Sequence, residues 1–327
     1  MHQLAFLVLP EFQNLSLAAA IEPLFVANWL AQEKLFAWRI VSADGQPVRA
    51  SNGMMIPVEG DLAAAEACRT IFVLASFDFT AEFPPAVLPW LRRLGRFGAV
   101  LGGIENGSLA LAEAGLLDGH VATIHWDNLT GFQERYPAVR AVPQLYAFSG
   151  DRITCAGSSA ILDMMAAWIE RQGDAGLARE VAEHLLFGRV RPGTTEQRGG
   201  AQRRAEDAEV ARAVALMREN LDEKLACSEI AERLGLSLRQ LERRFKRELG
   251  RSVQQEYLLL RMGKAHQLLQ QTSLSVTDVA FSCGFPSLEY FSRQYRATFG
   301  CRPSADRRQS TAAPVLRQSP ARHLPAR

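Results

Sequence analysis

Two stretches near the carboxyl end carry side chains suited to reading base pairs. The first opens Ser237-Leu238-Arg239-Gln240 and continues through Glu242, Arg243, Lys246 and Arg247. On a helix these polar residues point outward, while Leu238, Leu241, Phe245 and Leu249 form an inward stripe. Arg pairs bidentately with guanine and Gln with adenine in the major groove, and basic residues further along such a helix meet phosphate. The second stretch opens Ser287-Leu288-Glu289-Tyr290 and continues through Ser292, Arg293 and Arg296. It is less basic, and Tyr290 can contact a thymine methyl, contact a phosphate, or pack. Ser237 and Ser287 suit the N-caps of these helices. The expected DNA-contacting set is therefore Ser237, Arg239, Gln240, Arg243, Lys246, Ser287, Glu289, Tyr290 and Arg293.

A second constellation lies in the first half. Val100-Leu101-Gly102-Gly103-Ile104 reads as a buried strand, and Glu105 follows it at a glycine-flanked turn into a helix. Such elbows usually present a nucleophile at the tip. Here the tip is a carboxylate at a helix N-terminus, where negative charge is favoured. Glu22, Glu105, His125 and Trp126 are expected to line a pocket above the strand ends. Two carboxylates and an indole face favour a cation, with cation–π attraction of about 0.5–2 kcal/mol. Gly157-Ser158-Ser159 opens another helix, and its backbone N–H groups, Ser158 foremost, suit a ligand carboxylate. Together these groups fit an amine-containing zwitterion. Each has a structural alternative: Glu22 pairing with a neighbouring element, Trp126 in the core, His125 hydrogen-bonded behind the site.

The elements that position the DNA-side residues occur twice. Ser228-Glu229-Ile230-Ala231 leads to Leu234-Gly235-Leu236, and Thr277-Asp278-Val279-Ala280 leads to Cys283-Gly284-Phe285. The offset is 49 residues before the turn and 50 after it, because Pro286 adds one. Each copy reads helix, glycine turn, helix, which is the helix-turn-helix layout. An ordinary helical bundle with solvated charges gives no reason for matched apolar, Gly and Arg positions in both copies. Gln255 to Gln271 reads as one connecting helix of about 16 residues, or ~24 Å. Such a rod can hold two recognition helices about one DNA turn apart, roughly 34 Å.

Charge is divided accordingly. Residues 1–188 hold 12 Lys and Arg against 20 Asp and Glu, a net −8, whereas residues 209–308 hold 17 against 12, a net +5. The basic excess coincides with the repeat, as attraction to phosphate requires. Five scattered cysteines show no metal or disulfide spacing, so no metal or other cofactor is expected, and the compartment reads as reducing cytoplasm. The apolar start lacks the basic region of a signal peptide and is too short to span a membrane.

In residues 1–188, strand-like segments (4–9, 36–42, 71–75, 99–104, 120–123, 153–156) alternate with helix-like ones (15–31, 86–96, 108–114, 127–136, 158–172). That order implies a flavodoxin-like α/β domain, a mostly parallel sheet with helices on both faces, whose ligands settle at the carboxyl ends of the strands. The apolar helix Leu162–Ile169 is one candidate dimer surface, which the sequence does not separate from core. The expected organisation is a sensing and dimerisation domain at 1–188, a flexible linker at 189–208, an all-α DNA-binding domain with two helix-turn-helix motifs at 209–308, and a disordered tail at 309–327.

Val210 to about Arg308 resembles the DNA-binding domain of AraC/XylS-type transcription regulators. The resemblance is carried by Arg261-Met262-Gly263-Lys264-Ala265, Leu274 to Ala280, and Gly284-Phe285 through Phe291-Ser292-Arg293 to Phe299-Gly300 and Pro303. The first half resembles the class I glutamine-amidotransferase-like fold in its PfpI-like branch, through Ala20-Ile21-Glu22-Pro23-Leu24, Ser51-Asn52-Gly53, the elbow, Ala114 to Gly119, Thr123-Ile124-His125-Trp126 and Asp151 to Gly157. Joined, the halves resemble a regulator branch that senses small nitrogen compounds such as carnitine, betaines or arginine. That resemblance implies an activator whose partners are promoter DNA, a small effector, a second copy of the chain and RNA polymerase. Enzymes of the superfamily carry Cys at the elbow tip, where this chain has Glu105, and a Gly-Gly turn stands where this chain has Ala75-Ser76-Phe77. Nucleophilic catalysis is therefore not expected. Two other readings compete: a PfpI/amidase-like enzyme with a DNA-binding appendage, and an architectural DNA binder whose first domain only dimerises.

Overall fold

The computed structural model describes residues 1–79, 82–197 and 207–310. The chain divides near residue 198 into two compact units.

The first unit is built on strands that are buried on both sides. β1 (His2–Val8), β2 (Phe36–Val41), β5 (Thr70–Leu74), β6 (Val100–Ile104) and β10 (Arg152–Cys155) run parallel, with β9 (Tyr146–Ser149) antiparallel at the edge, in the order β2-β1-β5-β6-β10-β9. Short pairs form outside this sheet: β3 (Val48–Arg49) with β4 (Met55–Ile56), and β7 (Val121–Ala122) with β8 (Arg140–Ala141). Leu4, Phe6 and Val8 face one side and Ala5 and Leu7 the other, so near-continuous apolar runs serve two cores. Helices α1 (Asn14–Ala31), α5 (Ala160–Arg171) and α6 (Ala175–His184) cover the first face. Helices α2 (Val87–Arg96) and α3 (Gly107–Glu113) cover the second, with α4 (Leu129–Arg135) packing there through Phe132.

Helix α1 is long and apolar enough to cross a membrane by length and composition, but Leu17, Ala20, Leu24 and Ala27 are core residues. Three expectations change here. The 120–123 strand leaves the main sheet and pairs with β8. The Leu162–Ile169 surface is not open for dimerisation, because α1 and α6 pack on α5 and Met164, Met165 and Ile169 are buried. The expected flexible linker begins too early: residues 191–197 are hydrogen-bonded to the first unit, since Arg191 and Gln197 find polar partners there. The remainder of that linker, 198–206, and the tail beyond 310 lie outside the described residues.

The second unit has two cores joined by one helix. Helices α7 (Ala208–Glu219), α8 (Cys227–Arg233) and α9 (Leu238–Leu249) form the first bundle. Helix α10 (Val253–Gln271) spans both, giving Val253 and Tyr257 to the first core and Met262, Ala265, Leu268 and Leu269 to the second. Helices α11 (Val276–Ser282), α12 (Leu288–Phe299) and α13 (Pro303–Ser310) complete the second bundle. At 19 residues α10 is ~28 Å long. It grips each bundle by a polar contact as well. The Tyr257 hydroxyl donates to the Asn220 carbonyl. Arg261 Nε donates to the Cys283 carbonyl at 2.6 Å, and its guanidinium lies 4.1 Å from the Phe285 ring centre. The two bundles also touch directly. Gly284 sits at φ 68°, and a Cβ there would lie 2.3 Å from the Asp222 carbonyl oxygen. Glycine is required at this turn both for its left-handed backbone and for that approach.

Candidate DNA-reading face and effector site

Helix α9 starts with a capping box: the Ser237 hydroxyl accepts from Gln240 N, and Gln240 Oε1 accepts from Ser237 N at 2.8 Å. Behind the cap, Arg239, Arg243 and Lys246 are exposed along one side. Lys246 Nζ donates to the Gly250 carbonyl at the helix end, 3.2 Å away. The structure gives Gln240 a structural task, because a bidentate pair with adenine needs the same amide oxygen that the cap occupies. Arg244 and Arg247, one face round, both bind Asp207 Oδ2, at 2.6 and 2.7 Å. They fasten α9 to the start of α7.

Helix α12 repeats the plan. The Ser287 hydroxyl accepts from Tyr290 N at 3.2 Å, Ser287, Glu289 and Arg293 are exposed, and Tyr290 is half-buried. The Arg293 guanidinium lies 5.5 Å from the Tyr290 ring centre, so packing and cation–π contact account for Tyr290. Beside α12 runs a groove of about 840 Å³ lined by Leu288, Ser292, Arg293, Arg296, Arg302 and Ser304, among others. Arg302 and Ser304 were not singled out by sequence, because they lie beyond the recognition helix.

In the first unit, Glu105 stands at the elbow between β6 and α3 with φ 54°, outside the usual range for a residue with a side chain. It is 1% exposed. Oε1 accepts from the Ser16 hydroxyl at 3.0 Å and from Ser158 N at 3.3 Å, while Oε2 is buried with no partner. Gly157 makes room for it: a Cβ there would lie 2.1 Å from Glu105 Cγ. Burial pushes the Glu105 carboxyl up to about 7, against the pull of the Ser16 and Ser158 hydrogen bonds. Cys155 lies alongside, accepting Glu105 N at its carbonyl, 2.9 Å away. It is fully buried, and burial pushes its thiol up to about 12, which leaves it no nucleophilic thiolate at neutral pH.

The expected pocket is only partly assembled. Ser158 does reach Glu105. Glu22 is exposed on the outer side of α1. His125 and Trp126 are half-buried, with ring centres 5.0 Å apart. Their loop is tied to the elbow through Asn128 Nδ2, which donates to Asn106 Oδ1 at 2.6 Å. Asn106 Nδ2 is buried without a partner beside a cavity of about 100 Å³ lined by Leu9, Ala75, Ser76 and Leu109 among others. Ser16 and Asn106 escaped the sequence reading. The available signal was position: the start of α1 and the elbow both follow the carboxyl ends of parallel strands.

Four carboxylates are at least nine-tenths hidden among the described residues: Glu105, Asp163, Asp207 and Asp306. Asp163 has Arg191 at 2.6 Å, Asp207 has Arg244 and Arg247, and Asp306 has His266 at 2.9 Å. Glu105 has no basic side chain paired with it among the described residues.

Comparison with known proteins agrees with both units. A helix-turn-helix domain family matches residues 230–309. The HTH-type transcriptional regulator CdhR of Pseudomonas aeruginosa is 42% identical over 304 residues, covering 92% of this chain and 90% of that protein. An AraC family transcriptional regulator from Pseudomonas putida, known as a crystal structure, superposes with a TM-score of 0.53 at 27% identity, over 57% of this chain and all of that one. The chain is an AraC-family transcription regulator. The HTH-type transcriptional regulator GlxA of Rhizobium meliloti is similar too, at 33% identity over 94% of this regulator and 96% of that protein. The first unit shares its fold with a THiJ/PfpI family protein from Pseudomonas syringae, at a TM-score of 0.50 and 22% identity over 58% of this chain and 77% of that one. These relatives are named as transcription regulators rather than enzymes, and the regulator's second unit is the DNA-binding helix-turn-helix domain.

Proposed function

We propose that the regulator responds to a small cationic nitrogen compound, a quaternary amine, betaine or amino acid, bound against Glu105. One observation carries this reading: Glu105 is a buried carboxylate whose Oε2 has no hydrogen-bond partner and which has no basic partner among the described residues. An uncompensated buried charge is costly, so a site that keeps one is suited to a ligand that supplies the opposite charge. Ser158 N and the nearby His125–Trp126 loop suit the rest of such a ligand. In this reading the regulator acts in the cytoplasm as a homodimeric activator, reads its operator through Arg239, Arg243, Lys246 and Arg293, and engages RNA polymerase.

The test is thermal denaturation against glycine betaine, L-carnitine and L-arginine. A true effector at 100-fold excess over its Kd stabilises by about 2.7 kcal/mol. Glu105→Gln is expected to abolish that shift. An undiminished shift in the variant removes Glu105 from the site. On the DNA side, Arg243→Ala is expected to cost about 1–3 kcal/mol on the preferred operator and to relax base choice at one position. Equal losses on operator and random DNA reduce Arg243 to a phosphate contact.

A further inference from the structure

Residues 191–197 are fastened to the first unit at two places, and each place adjoins a segment of the effector site. At one end the Arg191 backbone N–H donates to Asp163 Oδ1 at 2.7 Å, and its guanidinium donates to Oδ2 through Nε at 2.9 Å and Nη2 at 2.6 Å. Arg191 Nη2 also reaches the Ser159 hydroxyl at 3.2 Å. Ser159 follows Ser158, whose backbone N–H is held by Glu105. At the other end, Gln197 Nε2 donates to Thr123 Oγ1 at 3.0 Å and to the Ile124 and Gln144 carbonyls at 2.8 Å each. Ile124 precedes His125 and Trp126. Between the ends, Leu145 N donates to the Thr195 carbonyl at 2.9 Å, and the Tyr146 hydroxyl donates to the Arg191 carbonyl at 3.0 Å.

We propose that residues 191–197 form a latch whose hold on the first unit depends on the occupancy of Glu105. This rests on the assignment of Glu105 as the effector group. The bistable part is Ser158, a residue with a side chain held at φ 51°. That conformation is strained and persists only while its surroundings impose it. The hydrogen bond to Glu105 Oε1 is one such constraint, and bonds to an ionised acceptor are roughly twice as strong as neutral ones. A cation that draws the carboxylate away frees Ser158 to relax. The first turn of α5 then shifts, and with it the Ser159 and Asp163 anchors of Arg191.

The consequence is the release of residues 191–197, the last described residues of the first unit, from their anchors on Asp163, Thr123 and Ile124.

Hydrogen exchange on the full-length protein tests the latch without any effector. Glu105→Gln keeps the shape and removes the charge that restrains Ser158, so amides of residues 191–197 should exchange about fivefold faster than in wild type. Ser158→Gly, which removes the strain at φ 51°, takes away the drive to relax, so it should leave exchange near the wild-type rate and suppress the Glu105→Gln acceleration in the double variant, whereas Arg191→Ala should accelerate exchange further. Rates within twofold of wild type in Glu105→Gln overturn the latch, as does a Glu105→Gln acceleration that survives unchanged in the double variant with Ser158→Gly, or an Arg191→Ala variant with unchanged exchange. The outcome is separable from that of the effector site. A betaine, carnitine or arginine shift lost in Glu105→Gln, together with unchanged latch exchange, retires the latch and keeps the site. Faster latch exchange with no shift from any of the three compounds keeps the latch and retires the effector class.

Discussion

Glu105 and Asp207 are hidden to a similar degree and kept in opposite ways. Burial would raise the Asp207 carboxyl, but the hydrogen bond from Arg244, the backbone N–H groups of Glu209 and Val210 and the Arg244 charge hold it below the usual carboxylate value. Asp306 is treated alike by His266 and Tyr295. Every oxygen at these two positions serves the scaffold. Glu105 is raised instead, keeps one oxygen idle and shares its other between the Ser16 hydroxyl and the Ser158 N–H. These two carboxylates of the DNA-binding unit are saturated; the elbow is unfinished. A finished network holds a shape, whereas an unfinished one at the mouth of a parallel sheet leaves room for the proposed effector.

The contrast predicts stability changes of opposite sign. Asp207→Ala removes an N-cap and strands two guanidinium groups, so it should cost about 2–3 kcal/mol, read by urea unfolding of the second unit. The wild-type contribution is present above the unfolded value of 3.8 and is lost as pH falls through the lower folded value. A cost under about 0.5 kcal/mol would place the ion pair among those that contribute nothing. Glu105→Gln should instead stabilise the effector-free protein, by about 1–2 kcal/mol at pH 8. The folded value of about 7 lies above the unfolded 4.5, so wild type gains stability as pH falls between them. The advantage of Gln therefore shrinks from pH 8 downward and is gone below 4.5. A destabilised variant at pH 8 would mean that Glu105 already has its counter-charge.

How much of this was legible in the sequence differs between the units for a physical reason. Helix-turn-helix units repeat local patterns, and apolar stripes, caps and Gly turns all act within a few residues, so both copies and the rod between them read correctly. The elbow was legible because its glycines and Glu105 are contiguous. Its partners were not, because Ser16 is 89 residues away. The same limit applies to Arg191 and Asp163, which sit 28 residues apart, and it made 191–197 read as free linker. Glu22 was chosen by type rather than by helix phase, and phase puts it outward. Strand 120–123 carried the right pattern, but only two of its residues pair, and with β8.

A smaller test concerns Gln240, where the reading head and the scaffold share a residue. Its amide oxygen closes the capping box on Ser237. Gln240→Ala should cost about 1 kcal/mol of stability and leave the base preference at the operator unchanged. A changed base preference with unchanged stability would show the box opening on DNA to free the amide.

The smallest effect belongs to the rod. Gly263 is exposed on α10, and a Cβ added there meets nothing within 4 Å. Glycine inside a helix costs up to ~1 kcal/mol relative to Ala, and neither packing nor backbone conformation asks for it here. Gly263→Ala should therefore stabilise the DNA-binding unit by about 0.5–1 kcal/mol. If α10 acts only as a rigid spacer, operator affinity should hold or rise slightly, because a stiffer rod loses less freedom on binding. A stabilised variant that binds its operator more weakly would show that the rod bends on DNA. The two reading heads would then be adjustable, despite the Tyr257, Arg261 and Gly284 contacts that lock them in the free protein.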